Sequence, residues 1–501
     1  MLIAVAATIL SIAYWSMFGL NAYSTFHEYG DLGIFAYNFY FNIHFPQIAH
    51  GLQYIVFGNH IAPTLLLILP IYAFFPSAIT LLVIQAAVLS ITGLVLFFVA
   101  KDILKDSRIS LAICLAFLLS PGIHGMLVFD FHAESFLSIF YILTFYYWLK
   151  ANRAGFAVSL LLFLGVIEVA PLLAATLGIG MLVYSLREGK RSMARNMLTK
   201  RRRWMAVACI AVSIIFLLAY SMITSHLAQA YASGYPGLPQ RLYVTAGAQN
   251  TLVGFVSSFS ANPMKMLTLD YYTYFTFQQQ YLLYAIVIVI LGFGLLCLFD
   301  PLELLILALP WLVMVFVIGD TGFILTYTQY FGFVVAPTAV AAIIGFMRFK
   351  DGKGILGRHL RKYRQSAKYV LLLSFIIPAG ILAASPVFVR NRNIDNLGHA
   401  FLFQQNSSMA TADAQLDSVI AAVPQNASVF AESFIMAHVP NREYQNYVDP
   451  PNGIIPDYVI SDYNTNISYG ELQDLQAASL ITNYSYSLVM QNGSAMLFKK
   501  T

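Results

Sequence analysis

The ionisable residues that flank the apolar stretches of this chain are few, and they are of kinds that handle protons. Asp31 closes the segment His27-Glu28-Tyr29-Gly30-Asp31 after the first apolar stretch, and His60 stands shortly before Pro63. Asp130, His132 and Glu134 alternate just ahead of another apolar run, and Glu168 lies in Gly165-Val166-Ile167-Glu168-Val169-Ala170-Pro171. A charged side chain costs about 2.5–3.5 kcal/mol at the centre of a membrane helix, so carboxylates and imidazoles at membrane mouths mark a candidate functional site. The chemistry they support is proton transfer, with a carboxylate taking the proton of a hydroxyl and imidazoles orienting it or balancing charge. Each also has a plainer role open to it. Asp31 suits a helix N-cap, His60 an interface position before a Pro-initiated helix, Glu134 a helix N-terminus, and Glu168 the mouth of a tight turn. His132 has no such local role. Residues two apart do not share a helix face, so the triplet converges only where the backbone is extended or turning.

The elements that must position these residues follow from composition. Of 501 residues 59% are hydrophobic, 15% aromatic and only 10% charged, and the mean hydropathy is +0.70. A soluble globule carries about 25% charged residues, so the chain is predicted to be a multi-pass membrane protein. The formal net charge of +5 does not point to nucleic acid, because the basic residues sit in short patches between apolar runs. Cys114, Cys209 and Cys297 each fall inside an apolar run without CxxC or Cys/His spacing, which implies neither a disulfide framework nor structural zinc.

Eleven stretches are read as spans: 2–20, 81–100, 109–120, 135–149, 154–167, 172–186, 204–224, 281–299, 302–318, 325–347 and 369–385. The first is read as a retained span, since it has no basic n-region and no cleavage pattern. Residues 187–203 hold eight Lys or Arg against one acid, and 348–368 again hold eight against one. Basic short loops stay cytoplasmic. Counting outward from them puts the N-terminus inside and everything after residue 385 outside, with Asp31, His60, Asp130, His132, Glu134 and Glu168 on the outer face of the cell membrane. The apolar piece 61–75 would break this parity if it crossed, so it is read as an interfacial or re-entrant part of a long first outer loop, 21–76.

Residues 388–501 hold ten acids and five bases and no stretch able to span. They are predicted to form a small extracytoplasmic α/β domain, separate from a transmembrane domain at 1–387. Its expected elements are a helix at 412–423, strands at 428–433 and 457–462, a helix near 470–478, and strands at 486–490 and 495–499 around Asn492-Gly493. Asn-Gly between alternating apolar runs signals a hairpin whose two central residues take positive φ. Five Asn-x-Ser sequons, at Asn406, Asn426, Asn466, Asn483 and Asn492, fit an outer surface. An Asn/Ser-rich loopy domain without glycans would carry them equally well.

The residues and their order resemble a family of prokaryotic predicted membrane proteins, domain of unknown function 2079 (DUF2079). The resemblance rests on Asp31-Leu32-Gly33-Ile34-Phe35, Asn59-His60 with Pro63 and Leu69-Pro70, Gln85, Phe131-His132-Ala133-Glu134, Glu168, Val439-Pro440-Asn441-Arg442, and Pro456-Asp457-Tyr458-Val459-Ile460-Ser461-Asp462. The architecture is also similar to the GT-C class of integral-membrane glycosyltransferases, which use polyprenyl-phosphate sugars. Asp31 matches that class's first acid and Asp130 to Glu134 its second. The chain departs from the class in having Glu28 and Asp31 three apart rather than an Asp-x-Asp or Glu-x-Asp, and in having no WWDYG-like acceptor motif.

The resemblance implies a mainly α, GT-C-like bundle in which Asp31 deprotonates an acceptor hydroxyl and the sugar is transferred with inversion from a polyprenyl-phosphate donor. Asp130, His132 and Glu134 would complete the catalytic set, and Glu28, His60, Glu168 and Arg442 would contact substrate. His60 and His132, with Asp130 or Glu134, would either orient the base or hold a divalent cation, with Asp130, His132 and Glu134 as the candidate metal ligands. Oxygen ligands from Asp130, Glu134 and Glu168 would suit Mg²⁺ or Mn²⁺, and His60 with His132 would favour a transition metal. Membrane lipids are the other implied partner. Two other classes fit the same residues: a transporter or lipid flippase with an acidic and histidine relay, and a non-catalytic membrane assembly factor.

Overall fold

The computed structural model describes residues 1–26, 31–46, 53–57, 60–187, 193–232, 286, 293–314, 329–352, 407–431, 433–439, 445–446, 455–462, 478 and 480–501. These residues are mainly helical. In chain order the membrane part comprises α1 (Leu2–Ser24), α2 (Asp31–His44), α3 (Gln53–Phe57), α4 (Leu69–Phe74), α5 (Ala78–Leu104), α6 (Ser107–Leu118) and α7 (Pro121–Val128). It continues with α8 (Leu137–Leu149), α9 (Arg153–Leu164), α10 (Ala170–Arg187), α11 (Met193–Ala232), α12 (Pro301–Val313) and α13 (Gly332–Lys350).

Among the described residues six helical segments are long and apolar enough to cross a membrane: Leu2–Ser24, Ala78–Leu104, Ser107–Val128, Ala170–Arg187, Met197–Ile223 and Gln329–Lys350. The expected eleven are therefore reached only in part. Three predicted spans, 135–149, 154–167 and 302–318, correspond to α8, α9 and α12, with 13, 12 and 13 residues. These fall short of the ~20 residues a straight span needs. The span predicted at 109–120 is longer than the sequence pattern suggested. Pro121 sits in the first turn of α7, where its missing N–H is harmless, and the helix resumes to Val128. The prediction at 369–385 and most of that at 281–299 lie outside the described residues. Residues 61–75 form a 3₁₀ turn, Pro63–Leu67, followed by the six-residue α4, each too short to cross.

Leu2, Ile3, Ile9 and Leu10 of α1 and Ile215, Leu218 and Met222 of α11 are exposed apolar side chains, as lipid-facing helices require. The core lies between α5, α6, α8, α10 and α13, where Leu89, Phe97, Phe117, Phe145, Leu177 and Val340 are fully enclosed. Alanines 336, 339, 341 and 342 and Gly345 let α13 run through the middle of this core. A Cβ at Gly345 would run into the Leu296 carbonyl, so only glycine permits that approach.

After this bundle come α14 (Ser407–Ala421), β1 (Val429–Ala431), α15 (Ser433–Met436), β2 (Gln445–Asn446), β3 (Tyr458–Asp462), β4 (Tyr486–Asn492) and β5 (Ala495–Lys500). The sheet order is β2-β1-β3-β5-β4. β1 pairs in parallel with β2 and β3, while β5 runs antiparallel to β3 and β4. The expected helix near 470–478 falls almost wholly outside the described residues. The β4–β5 turn differs from its prediction by one position, because Asn492 already pairs with Ala495 and the two central residues are Gly493 and Ser494. Only Gly493 takes a positive φ, +61°, the pattern of a type II′ turn with Gly first. Asn492 is freed to donate its side-chain amide to Ser418 Oγ at 2.8 Å.

Candidate functional site

The start of α2 and the segment between α7 and α8 meet at one end of the bundle. The first N–H groups of a helix have no intrahelical partner. At α2 one of them is satisfied from 98 residues away, where Leu32 N donates to Asp130 Oδ2 at 3.1 Å. A carboxylate is favoured there by the helix dipole. The neighbouring Asp31 places Oδ2 at 3.0 Å from His132 Nε2, and His132 Nδ1 faces the Asp130 carbonyl oxygen at 3.0 Å. The backbone at His132 is extended, φ −140° and ψ 148°, which lets alternate residues of the triplet turn to a common place.

This geometry fixes the proton inventory. A carbonyl oxygen only accepts, so His132 Nδ1 carries a proton and donates it to Asp130. The Nε2–Asp31 contact then needs a second proton, on the imidazole or on the carboxyl. The pair therefore holds one proton between Asp31 and His132 and is neutral as a unit. Burial holds the His132 imidazole below its ordinary range, against the pull of the Glu134 and Asp130 carboxylates.

Gln85 in α5 anchors the segment that carries His132. Its Oε1 accepts from His132 N at 2.9 Å and from Ser135 Oγ at 2.7 Å. Its Nε2 donates to the carbonyls of Met126, Phe129 and Asp130 at 2.7, 3.2 and 3.0 Å. Two donors on one side and three acceptors on the other determine the orientation of the amide. Sequence reasoning noticed Gln85 only as part of a family pattern. The available signal was a lone amide inside a 27-residue apolar helix.

A second pair lies beside the first. His60 Nδ1 is 2.9 Å from Glu168 Oε1, and Ile61 N donates to Glu168 Oε2 at 3.1 Å. Thr64 ties the same two segments together, its N–H donating to the Gly165 carbonyl at 2.9 Å and its hydroxyl to the Leu162 carbonyl at 2.6 Å. Burial alone would depress His60, but the Glu168 carboxylate outweighs it and, with Glu134, pushes the imidazole up to about 9. Burial would raise Glu168, yet the facing His60 holds it below the usual carboxylate range. The pair is ionised at neutral pH.

Glu134 joins the two pairs, since its carboxylate acts on both His60 and His132. It is fully buried, and neither of its oxygens has a hydrogen-bond partner. The structure thus brings Asp31, Asp130, His132, Glu134, His60 and Glu168 to one end of the bundle, while Glu28 and Arg442 lie outside the described residues. Asp130 Oδ2 takes the Leu32 amide, both His132 nitrogens are engaged, and among the described residues no three His, Cys, Asp or Glu side chains stand in metal-holding geometry.

The C-terminal domain sits directly against this end. His438 stacks on Tyr23 with ring centroids 4.1 Å apart and lies 4.0 Å from Phe26. Tyr23 Oη donates to the Ala437 carbonyl at 3.2 Å. Phe26 takes φ +53°, uncommon for a bulky residue, and its ring enters the core built by Leu416, Val419, Ile435 and Leu497. Gly33 is the point of closest approach, where a Cβ would lie 2.9 Å from Ala437 N and from Met436 Cβ. Burial pushes His438 down to about 4 against the carboxylates of Asp417 and Asp413.

The family model described as predicted membrane protein (DUF2079) matches residues 21–494. The chain belongs to this family. The DUF2079 match takes in both acid–histidine pairs, Glu134, and four of the five strands of the C-terminal sheet, ending just before β5. A search of the curated proteins finds no match.

Proposed function

We propose that the protein is a membrane glycosyltransferase that moves a sugar from a polyprenyl-phosphate donor to an acceptor hydroxyl on the outer face of the membrane. The observation that carries this reading is the 3.0 Å contact between Asp31 and His132. It unites groups 101 residues apart at one end of the helical bundle, beside the C-terminal sheet domain.

Asp31 is the base. A lipid phosphate arriving beside His132 adds negative charge and favours the imidazolium. The shared proton then moves to His132 and leaves Asp31 a carboxylate. Asp31 takes the acceptor's hydroxyl proton as the acceptor oxygen bonds to the anomeric carbon. The bond from that carbon to the phosphate oxygen breaks, configuration inverts, and the imidazolium opposes the charge that develops on the departing phosphate. The ionised His60–Glu168 pair and Glu134 hold the surroundings of the phosphate and sugar, and Gln85 positions His132. No step is routed through a metal.

The test uses purified full-length protein with labelled polyprenyl-phosphate sugars. Transfer to an acceptor is expected, with Asp31→Asn lowering it by about 10²–10⁴-fold, the usual weight of a general base. His132→Gln is expected to narrow the range of pH over which transfer proceeds. Transfer unaffected by Asp31→Asn would overturn the assignment.

A further inference from the structure

A line of buried polar groups leaves the candidate site and runs down the bundle. Glu134, Ser138 and Tyr141 follow one another at i, i+4 and i+7 along the 3₁₀ turn Ala133–Phe136 and α8, and so share one helix face. All three are buried, and among the described residues both Glu134 oxygens, Ser138 Oγ and Tyr141 Oη lack a hydrogen-bond partner. Native proteins seldom leave such groups unsatisfied, and each instance calls for an explanation.

Most neighbouring hydroxyls are satisfied, although Ser16 Oγ of α1 also lacks a partner among the described residues. Thr144, one turn further along α8, bonds back to the Phe140 carbonyl. Thr92, Ser159 and Ser185 do the same on their own helices. Among the tyrosines, Tyr72, Tyr146 and Tyr220 each find an oxygen acceptor. Ser138 and Tyr141 do not.

The stripe continues on a second helix. The Glu303 carboxylate of α12 acts on Tyr141 through space, is fully buried, and likewise has no hydrogen-bond partner. Room for it is made by Gly180 of α10, where a Cβ would lie 2.9 Å from Glu303 Oε1. Beyond Glu303 is the basic end of the bundle. There Arg187 bridges Asp300 at 2.9 Å and Glu303 at 3.7 Å, and Arg348 meets Asp300 at 3.1 Å.

We propose that Glu134, Ser138, Tyr141 and Glu303 form a proton-transfer path through the membrane, from the Asp31–His132 pair to the Arg187–Asp300–Arg348 cluster. A bound cation needs several oxygens at once. A proton needs only one acceptor at a time, and alternating carboxyls and hydroxyls supply that. At each step one O–H or N–H bond breaks and one O–H bond forms. Ser138 and Tyr141 each take a proton on an oxygen lone pair while releasing their own onward, and water completes contacts between successive groups. Glu303 is the last acceptor, and Arg187 stabilises its carboxylate once the proton leaves toward the basic end. Nothing is oxidised or reduced. This function is independent of sugar transfer, which the same site would perform with or without the path.

The experiment places the full-length protein in vesicles of phosphatidylcholine and phosphatidylglycerol that enclose a pH-sensitive dye. A potassium gradient with valinomycin sets the driving potential. The wild-type protein is expected to change the internal pH about tenfold faster than protein-free vesicles, with Tyr141→Phe and Glu303→Gln each slowing it at least about fivefold. Thr144→Ala, on the same helix but off the stripe, should leave the rate unchanged. Tyr141→Phe removes a single oxygen and keeps the ring, so its packing is preserved. Infrared difference spectra give a second readout, a protonated-carboxyl band that is lost in Glu303→Gln and shifted in Tyr141→Phe. A wild-type rate equal to that of empty vesicles overturns the proposal, as do wild-type rates in both variants. Sugar transfer is not read in this assay, so the outcome leaves the glycosyltransferase reading to its own test.

Discussion

The two acid–histidine pairs respond oppositely to their surroundings, and the difference can be measured at the His60–Glu168 pair. His60 rises from 6.5 to about 9 on folding, so its contribution to stability is complete below 6.5 and is lost as pH rises through about 9. Glu168 is held below its ordinary value of 4.5, so its contribution is present above 4.5 and is lost as pH falls below it. Both side chains are less than a quarter exposed, which leaves little solvent screening. Glu168→Gln is therefore expected to destabilise the protein by about 3 kcal/mol near pH 6, the size implied by a His60 imidazole raised from 6.5 to about 9. Thermal unfolding of wild type and variant in detergent should show their midpoints farthest apart there and converging near about pH 10. A gap that stays constant with pH would show that the pair is not ionised.

What the sequence disclosed at this scale was residue type and neighbourhood. Asp31, His60, the 130–134 triplet and Glu168 are conspicuous because charge is costly beside apolar runs, and all of them come to one end of the bundle. Their pairing was not legible. Nothing in local spacing says that Asp31 takes His132 while Asp130 takes the Leu32 amide, because those choices depend on how α2 seats against the segment after α7. Gln85 was equally silent, since an amide in an apolar helix reads the same whether it anchors a loop or bonds its own backbone. Glu303 was passed over inside a predicted span, and its importance rests on neighbours supplied by α8 and α10.

At the scale of elements, hydropathy located helices well and their lengths poorly. Pro121 reads as a stop, yet at the first turn of α7 it costs no hydrogen bond, and one apolar segment runs on through it. The Asn-Gly signal found the β4–β5 hairpin but misplaced its turn, because the register with β5 had already used Asn492 as a pairing residue. Docking of the C-terminal domain depends on α2 being bare at Gly33. In Gly33→Val the added carbons would fall against the Ala437 backbone, which cannot swing aside as a side-chain tip can. The expected cost is about 1–3 kcal/mol from overpacking. It should appear as faster proteolysis of the C-terminal domain, with the bundle left intact. Cleavage at the wild-type rate would mean that α15 and α2 do not meet.

For the whole molecule the deciding property is sidedness. The basic runs at 187–203 and 348–368 predict that the end holding Asp102, Lys150, Arg187 and Arg348 is cytoplasmic and that the end holding the candidate site is not. The contacts agree with two distinct ends. Asp102 meets Lys105 and Lys150, and Lys350 donates to the Leu104 carbonyl. At the other end Asp31 meets His132, and His60 meets Glu168. The protein is well suited to a direct test, because Cys114, Cys209 and Cys297 are outside disulfides and buried and should stay silent toward a membrane-impermeant maleimide. Gln425→Cys places a thiol on the exposed surface of the C-terminal domain, and Ser107→Cys places one on the exposed first turn of α6 at the basic end. Intact cells should be labelled at Cys introduced at 425 and at 107 only after they are opened. The reverse pattern would put the acid–histidine pairs on the cytoplasmic face. Lipid-linked sugars delivered from outside would then have no access to Asp31, and the protein would have to act on a donor from within the cell.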